Sequence, residues 1–168
     1  MPGKGRILFY GYGNPGRQDD GLGIALIDRL EEWVNEEGIQ GFQFDSNYQL
    51  NIEDAEALAE SSTVVFADAT VEDIESFIVS ELEGSSESTF TTHSASPGYL
   101  LYLCEALFQK KPAAFLVHLK GYEWELKEGL TEKAAMNLEE AVRLFKEIIR
   151  SDNFDADLRN ISKIIYEK

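Results

Sequence analysis

Apolar runs and helix-spaced apolar positions alternate along this chain from end to end. Short runs that predict strands are residues 6–12, 42–45, 63–68, 77–81 and 113–119. Between them lie helix-like stretches at 20–37, 52–60, 97–109 and 131–150. The last of these carries Ala134, Ala135, Leu138, Ala141, Val142, Phe145, Ile148 and Ile149 at helical spacing, which predicts one buried face. Gly38 predicts the stop of the first helix. Ser96-Pro97 predicts the start of the third, with serine as N-cap and proline at the first helical position.

Strand–helix alternation predicts an α/β fold in three layers: a mostly parallel, twisted sheet of about five strands with helices on both faces. The run Thr63-Val-Val-Phe-Ala-Asp68 is apolar at consecutive positions, as a central strand buried on both sides requires. The run at 77–81 follows Asp68 with no helix between, which predicts an edge position, antiparallel to its neighbour. Residues 1–151 form one domain on this pattern. Residues 152–168 are more polar, with Leu158, Ile161, Ile164 and Ile165 weakly patterned, and are expected to be a terminal helix or tail.

Composition narrows the function classes. The chain has 168 residues, 43% of them hydrophobic, enough for one domain with a full core. No apolar run nears the roughly 20 residues of a membrane span. The start of the chain lacks the apolar stretch of a signal peptide, so a cytoplasmic location is expected. A single cysteine excludes internal disulfides and multi-cysteine metal sites. The formal charge of −16, from 31 acids against 15 bases, makes nucleic acid and anionic membrane poor partners.

Candidate chemistry gathers where an open α/β sheet collects ligands, at the carboxyl ends of its strands. The turn Gly11-Tyr-Gly-Asn-Pro-Gly-Arg-Gln-Asp-Asp-Gly-Leu-Gly23 follows the first strand and feeds the first helix, bringing Asp19 and Asp20 to that edge. Asp68 ends the central strand. His93 lies in Thr91-Thr-His-Ser-Ala-Ser-Pro97, just before the third helix. Two carboxylates and one imidazole suit a borderline divalent ion with positions left open for water or substrate. Each also has an ordinary role, as helix cap, loop acceptor or surface residue. His118, inside an apolar run, is expected to be a strand residue, and Cys104, on the apolar side of the third helix, a core residue.

Two rival chemistries are weaker. Gly11-Tyr-Gly13-Asn-Pro-Gly16 matches the G-x-G-x-x-G fingerprint, and Asp45 ends the second strand where a ribose-binding acid would stand. A pyrophosphate would then meet Asp19 and Asp20 at the helix N-terminus, where like charges oppose it. No serine sits in a G-x-S-x-G elbow, so a hydrolase here would use metal-bound water.

Taken together, the first turn, Tyr48-Gln-Leu-Asn-Ile-Glu-Asp-Ala-Glu-Ala-Leu58, Val64-Val-Phe-Ala-Asp-Ala69, His93-Ser-Ala-Ser-Pro-Gly98 and Gly129-Leu-Thr131 resemble the hydrogenase maturation proteases over nearly the whole chain. These endopeptidases process the large subunit of nickel–iron hydrogenases. The resemblance implies that Asp20, Asp68 and His93 are the metal-contacting, catalytic trio. It implies a nickel-loaded large-subunit precursor as partner, cut once near its C-terminus, with nickel carried by the substrate as a recognition mark. Asp19 and Asp45 are candidates for activating water, and a monomer is expected. Two segments depart from the family pattern. Asp45-Ser-Asn-Tyr48 lacks a glycine-rich turn, and Gly121-Tyr-Glu-Trp-Glu125 is acidic and aromatic, with Tyr122 and Trp124 either facing a partner or packed on the last long helix. The alternative function is a non-catalytic metal sensor or chaperone using the same trio; a dinucleotide-binding enzyme is the third.

Overall fold

The computed structural model describes residues 6–86 and 95–162. In chain order its elements are β1 (Ile7–Tyr12), α1 (Leu22–Glu37), β2 (Phe42–Asn47), α2 (Asp54–Ala59), β3 (Thr63–Thr70), β4 (Phe77–Leu82), α3 (Pro97–Phe108), β5 (Ala113–Lys120), α4 (Glu132–Arg150) and α5 (Phe154–Ile161). The five strands form one sheet in the order β2-β1-β3-β5-β4. The first four run parallel, and β4 lies antiparallel on the outside of β5, the edge placement expected for a strand that follows β3 without a helix.

Period-two alternation sends the strand side chains to two separate cores. Phe9, Val65, Ala67, Phe115, Val117 and Leu119 face α1 and α4, where Leu26, Leu30, Leu138 and Phe145 cover them. Leu8, Tyr10, Val64 and Phe66 face the opposite layer, under Leu58 of α2 and Leu100 and Cys104 of α3. Cys104 is a core residue, as expected, with its thiol against the Ala55 carbonyl at 3.3 Å. α5 packs at the end of the first core through Phe154 and Leu158.

Local chemistry sets the helix ends. Ser96 caps α3 by accepting the Tyr99 N–H at 3.1 Å, with Pro97 at the first helical position, and Thr131 caps α4 by accepting from Ala134. Gly38 ends α1 in the left-handed conformation at φ +67°.

Most element ends shift by a residue or two from the sequence expectation, and three of the shifts bear on the site. β3 runs two residues past Asp68, because Ala69 and Thr70 still pair with Leu119 and Lys120 of β5. β2 continues from Asp45 to Asn47 by pairing with Gly11 and Tyr12. α1 begins at Leu22, preceded by a 3₁₀ turn over Gln18–Gly21 that holds both aspartates. That turn separates the directions of two neighbouring side chains.

Candidate functional site

The switch in strand order falls beside β1, whose two neighbours are β2 and β3. The β1–α1 turn crosses this edge under tight steric limits. Gly13 stands at φ +140°, and a Cβ there would lie 2.1 Å from the Asp20 carbonyl oxygen. On α1, a Cβ at Gly23 would lie 2.3 Å from the Ala67 carbonyl oxygen of β3. Only glycine lets the helix approach the strand this closely, and the approach brings the turn beside Asp68.

Asp20 and Asp68 therefore meet across the β1–β3 edge. Asp20 is half-buried, and its Oδ2 accepts the Asn14 N–H at 2.8 Å. Burial raises its pKa, opposed by that bond and by the Arg17 charge. Asp68 is pushed up to about 7, first by burial and then by the negative charge of Asp20; the Ala69 N–H and the Tyr12 hydroxyl pull in the other direction. Tyr12 shares the sheet face of Asp68, and its phenol is raised well above the usual range by burial and by that neighbouring acid. The charge of Asp20 disfavours ionisation of Asp68, so a cation placed between the two carboxylates would be favoured. Perturbed carboxylates of this kind cluster at functional sites, and structural charge networks produce them too.

The third expected member, His93, lies outside the described residues. Among the described residues no group of three or more His, Cys, Asp or Glu side chains is arranged to hold a metal ion.

Asp19 does a different job from the one considered for it. It is fully buried. Its Oδ1 accepts the Thr131 N–H at 2.8 Å, and its Oδ2 accepts from the Tyr122 N–H at 2.7 Å, the Glu123 N–H at 3.1 Å and the Thr131 hydroxyl at 2.7 Å. Burial opposes its ionisation, yet the bonds from Thr131, Tyr122 and Glu123 together hold the carboxyl below its ordinary range. A carboxylate so fully engaged is a structural tie to the loop before α4, with no room to activate water. Asp45 is exposed on the edge strand, bonded to the Ser46 N–H at 2.8 Å. One strand and two register positions separate it from Asp68, on the order of 10 Å by strand spacing.

The acidic aromatic loop resolves in favour of packing. The Tyr122 hydroxyl accepts from Asn137 Nδ2 of α4 at 2.9 Å, with the Lys133 ammonium 5.6 Å from its ring centre. Trp124 lies over Gly121, and its carbonyl accepts from Arg17 at 3.2 Å. His118 is a strand residue, as expected, on the α3-facing side of β5. Its Nε2 lies 2.9 Å from the buried Ser80 hydroxyl, and burial lowers its pKa.

The turn also argues against dinucleotide binding. The Asn14 N–H bonds the Asp20 carboxylate and the Gly16 N–H the Asn14 side chain. The amides of Gly13, Arg17, Gln18, Asp19 and Asp20 donate to backbone carbonyls. These amides already have acceptors within the fold, so the turn offers no open cradle for a pyrophosphate.

No protein-family model matches this chain, and no curated protein does. Solved structures do. The NiFe hydrogenase maturation protease HycI from Thermococcus kodakarensis KOD1 superposes with a TM-score of 0.71 at 23% identity, over 89% of this chain and 96% of its own. The hydrogenase maturating endopeptidase HybD from Escherichia coli follows at 0.67 and 19%, over 86% and 92%. The endopeptidase HycI from Escherichia coli gives 0.64 and 13%, over 97% and 99%. The chain has the fold of the hydrogenase maturation proteases. Within that fold, Asp20 and Asp68 occupy the carboxyl edge beside β1.

Proposed function

We propose that this protein is an endopeptidase that removes a short C-terminal extension from the nickel-loaded large-subunit precursor of a nickel–iron hydrogenase. The observation that carries the proposal is the Asp20–Asp68 pair, both half-buried, with the charge of Asp20 set against that of Asp68 at the switch edge of a maturation-protease fold. In this reading the substrate brings the cation that the pair lacks. Asp20, Asp68 and His93 contact the precursor's nickel, and those contacts hold the scissile bond beside the edge of the sheet. Binding then reports whether nickel has been inserted.

The same pair accounts for water activation. Asp19 is engaged in four hydrogen bonds and Asp45 stands a strand away, so neither reaches the scissile bond. Proton acceptance falls to Asp68 or Asp20, whichever carboxylate oxygen the nickel leaves free. The protein meets its substrate as a monomer, with nickel as cargo of the precursor.

The test is cleavage by His93→Ala, Asp20→Asn and Asp68→Asn variants on a cognate nickel-loaded precursor. Each is expected to lose at least a hundredfold in kcat/KM while still melting cooperatively, no more than a few degrees below the parent protein. Cleavage at the parent rate by all three would remove the proposed site. Tight nickel binding by the protein with no cut product would instead support the metal-chaperone alternative.

A further inference from the structure

The large apolar side chains left most exposed among the described residues are Leu126 at 76%, Tyr48 at 70% and Val71 at 69%. Single exposed apolar residues are ordinary, but these three share one edge. Tyr48 follows the last residue of β2, Val71 follows the last of β3, and Leu126 lies in the loop after β5. All three therefore stand at the carboxyl ends of parallel strands, around the β1–α1 turn. Each is anchored through its backbone or its neighbours. The Tyr48 carbonyl accepts the Gly13 N–H at 3.1 Å, and the Val71 carbonyl accepts from Lys120 Nζ at 2.9 Å. Gln18 holds Leu126 from both sides: the Glu125 N–H donates to Gln18 Oε1 at 3.0 Å, and the Gln18 N–H donates to the Lys127 carbonyl at 2.9 Å. Gln18 makes these bonds at φ +50°, a left-handed conformation that is strained for a residue other than glycine. The fold accepts strain to fix the backbone beneath a side chain that it leaves in water.

We propose that Tyr48, Val71 and Leu126 are the apolar contacts of a docking rim for the stretch of precursor polypeptide beside the scissile bond, and that this stretch is itself apolar and basic. This rests on the function proposed above. Fixed apolar side chains around a site bind a chain without first having to be ordered. The basic character follows from charge. Exposed acids flank each contact: Asp45 before Tyr48, Glu72 and Asp73 after Val71, and Glu125 and Glu128 beside Leu126. The nearby bases are Arg17, Lys120 and Lys127, and the first two donate to the backbone carbonyls of Trp124, Val71 and Glu72. The rim is therefore negative and attracts cationic side chains. β2 and β5 are three strand spacings apart, about 14 Å, which about four extended residues span. One short segment reaches Tyr48 and Leu126 together while crossing the Asp20–Asp68 edge.

The experiment compares Leu126→Ser, Glu125→Lys and Leu107→Ser with the parent protein. Leu107 is the control: it is 59% exposed in the last turn of α3, at the opposite edge, where β5 begins. The measurements are melting temperature, steady-state kinetics on the nickel-loaded precursor, and binding of the same precursor by fluorescence anisotropy. A contact away from the reacting atoms holds substrate and transition state alike, so its loss raises KM and spares kcat. Leu126→Ser should raise KM roughly five- to tenfold with little change in kcat or melting temperature. Added salt should raise the KM of the parent, and Glu125→Lys should raise KM at low salt and flatten that rise. Leu107→Ser should stay within about twofold of the parent. A KM for Leu126→Ser within about twofold of the parent overturns the rim, as does an equal rise for Leu107→Ser. A parent KM that does not rise with salt overturns the basic segment. If the parent cleaves nothing, the protease reading fails by itself, and anisotropy decides the rim. Weaker precursor binding by Leu126→Ser then supports it; equal binding, or none by the parent, overturns it.

Discussion

Two adjacent aspartates in this chain do opposite things, and the difference is a matter of partners. Asp19 accepts four hydrogen bonds from the loop before α4, whereas Asp20 accepts one and faces another acid. Replacing Asp19 by Asn puts an amide NH₂ among donors and should cost about 3 kcal/mol or more. Calorimetry should show the melting temperature falling by roughly 6–12 °C. Asp68 works in reverse. Its folded pKa of about 7 stands above the ordinary 3.8, so between these values the folded protein keeps a proton that the unfolded chain releases. Stability therefore falls as pH rises from about 4 to 7, and the full cost is present above 7. Asp68→Asn removes that cost. Melting should rise by up to a few kcal/mol equivalent at pH 8, with the gain vanishing near pH 4. A variant that melts lower than the parent at pH 8 would contradict this. Sequence could bring Asp20 and Asp68 to the same edge, since topology alone does that. It could not separate Asp19 from Asp20, because the four donors to Asp19 come from residues 122–131, about a hundred positions away, where no local pattern points back to it.

At the scale of elements, the chain was legible where burial is periodic. The consecutive apolar residues of β3, the amphipathic stripe of α4 and the caps at Ser96 and Gly38 each follow from spacing or from one side chain. Element ends were less so, because β3 and β2 are extended by cross-strand pairing that no run of residues records. The closeness of α1 to β3 was also illegible: a glycine in a helix advertises flexibility, not contact. Gly23→Ala tests that contact. Its Cβ would stand 2.3 Å from the Ala67 carbonyl, whereas at Gly38 the space is open and only φ +67° resists. Gly23→Ala should cost about 2–3 kcal/mol by displacing α1, against about 1 kcal/mol for Gly38→Ala. Chemical denaturation of both variants measures the difference; equal costs would mean that α1 yields without strain.

The whole molecule is an acidic three-layer sandwich whose polar edge gathers the candidate site while two apolar layers seal both sheet faces. Among the described residues no helix is long and apolar enough to cross a membrane. The ion pairs, such as Arg29–Glu139 joining α1 to α4 within one helical layer, are exposed and contribute little each. Stability resides in the two cores, and the site carries a charge conflict that the fold tolerates at neutral pH. In the proposed reaction, a cation delivered by the substrate would relieve that conflict, which joins the fold to the chemistry. The most direct test is the intact mass of a cognate large-subunit precursor incubated with this protein, with and without nickel loading. The account predicts one C-terminal loss, seen only in the nickel-loaded sample. An unchanged mass in both samples, with a verified cognate pair, would contradict it.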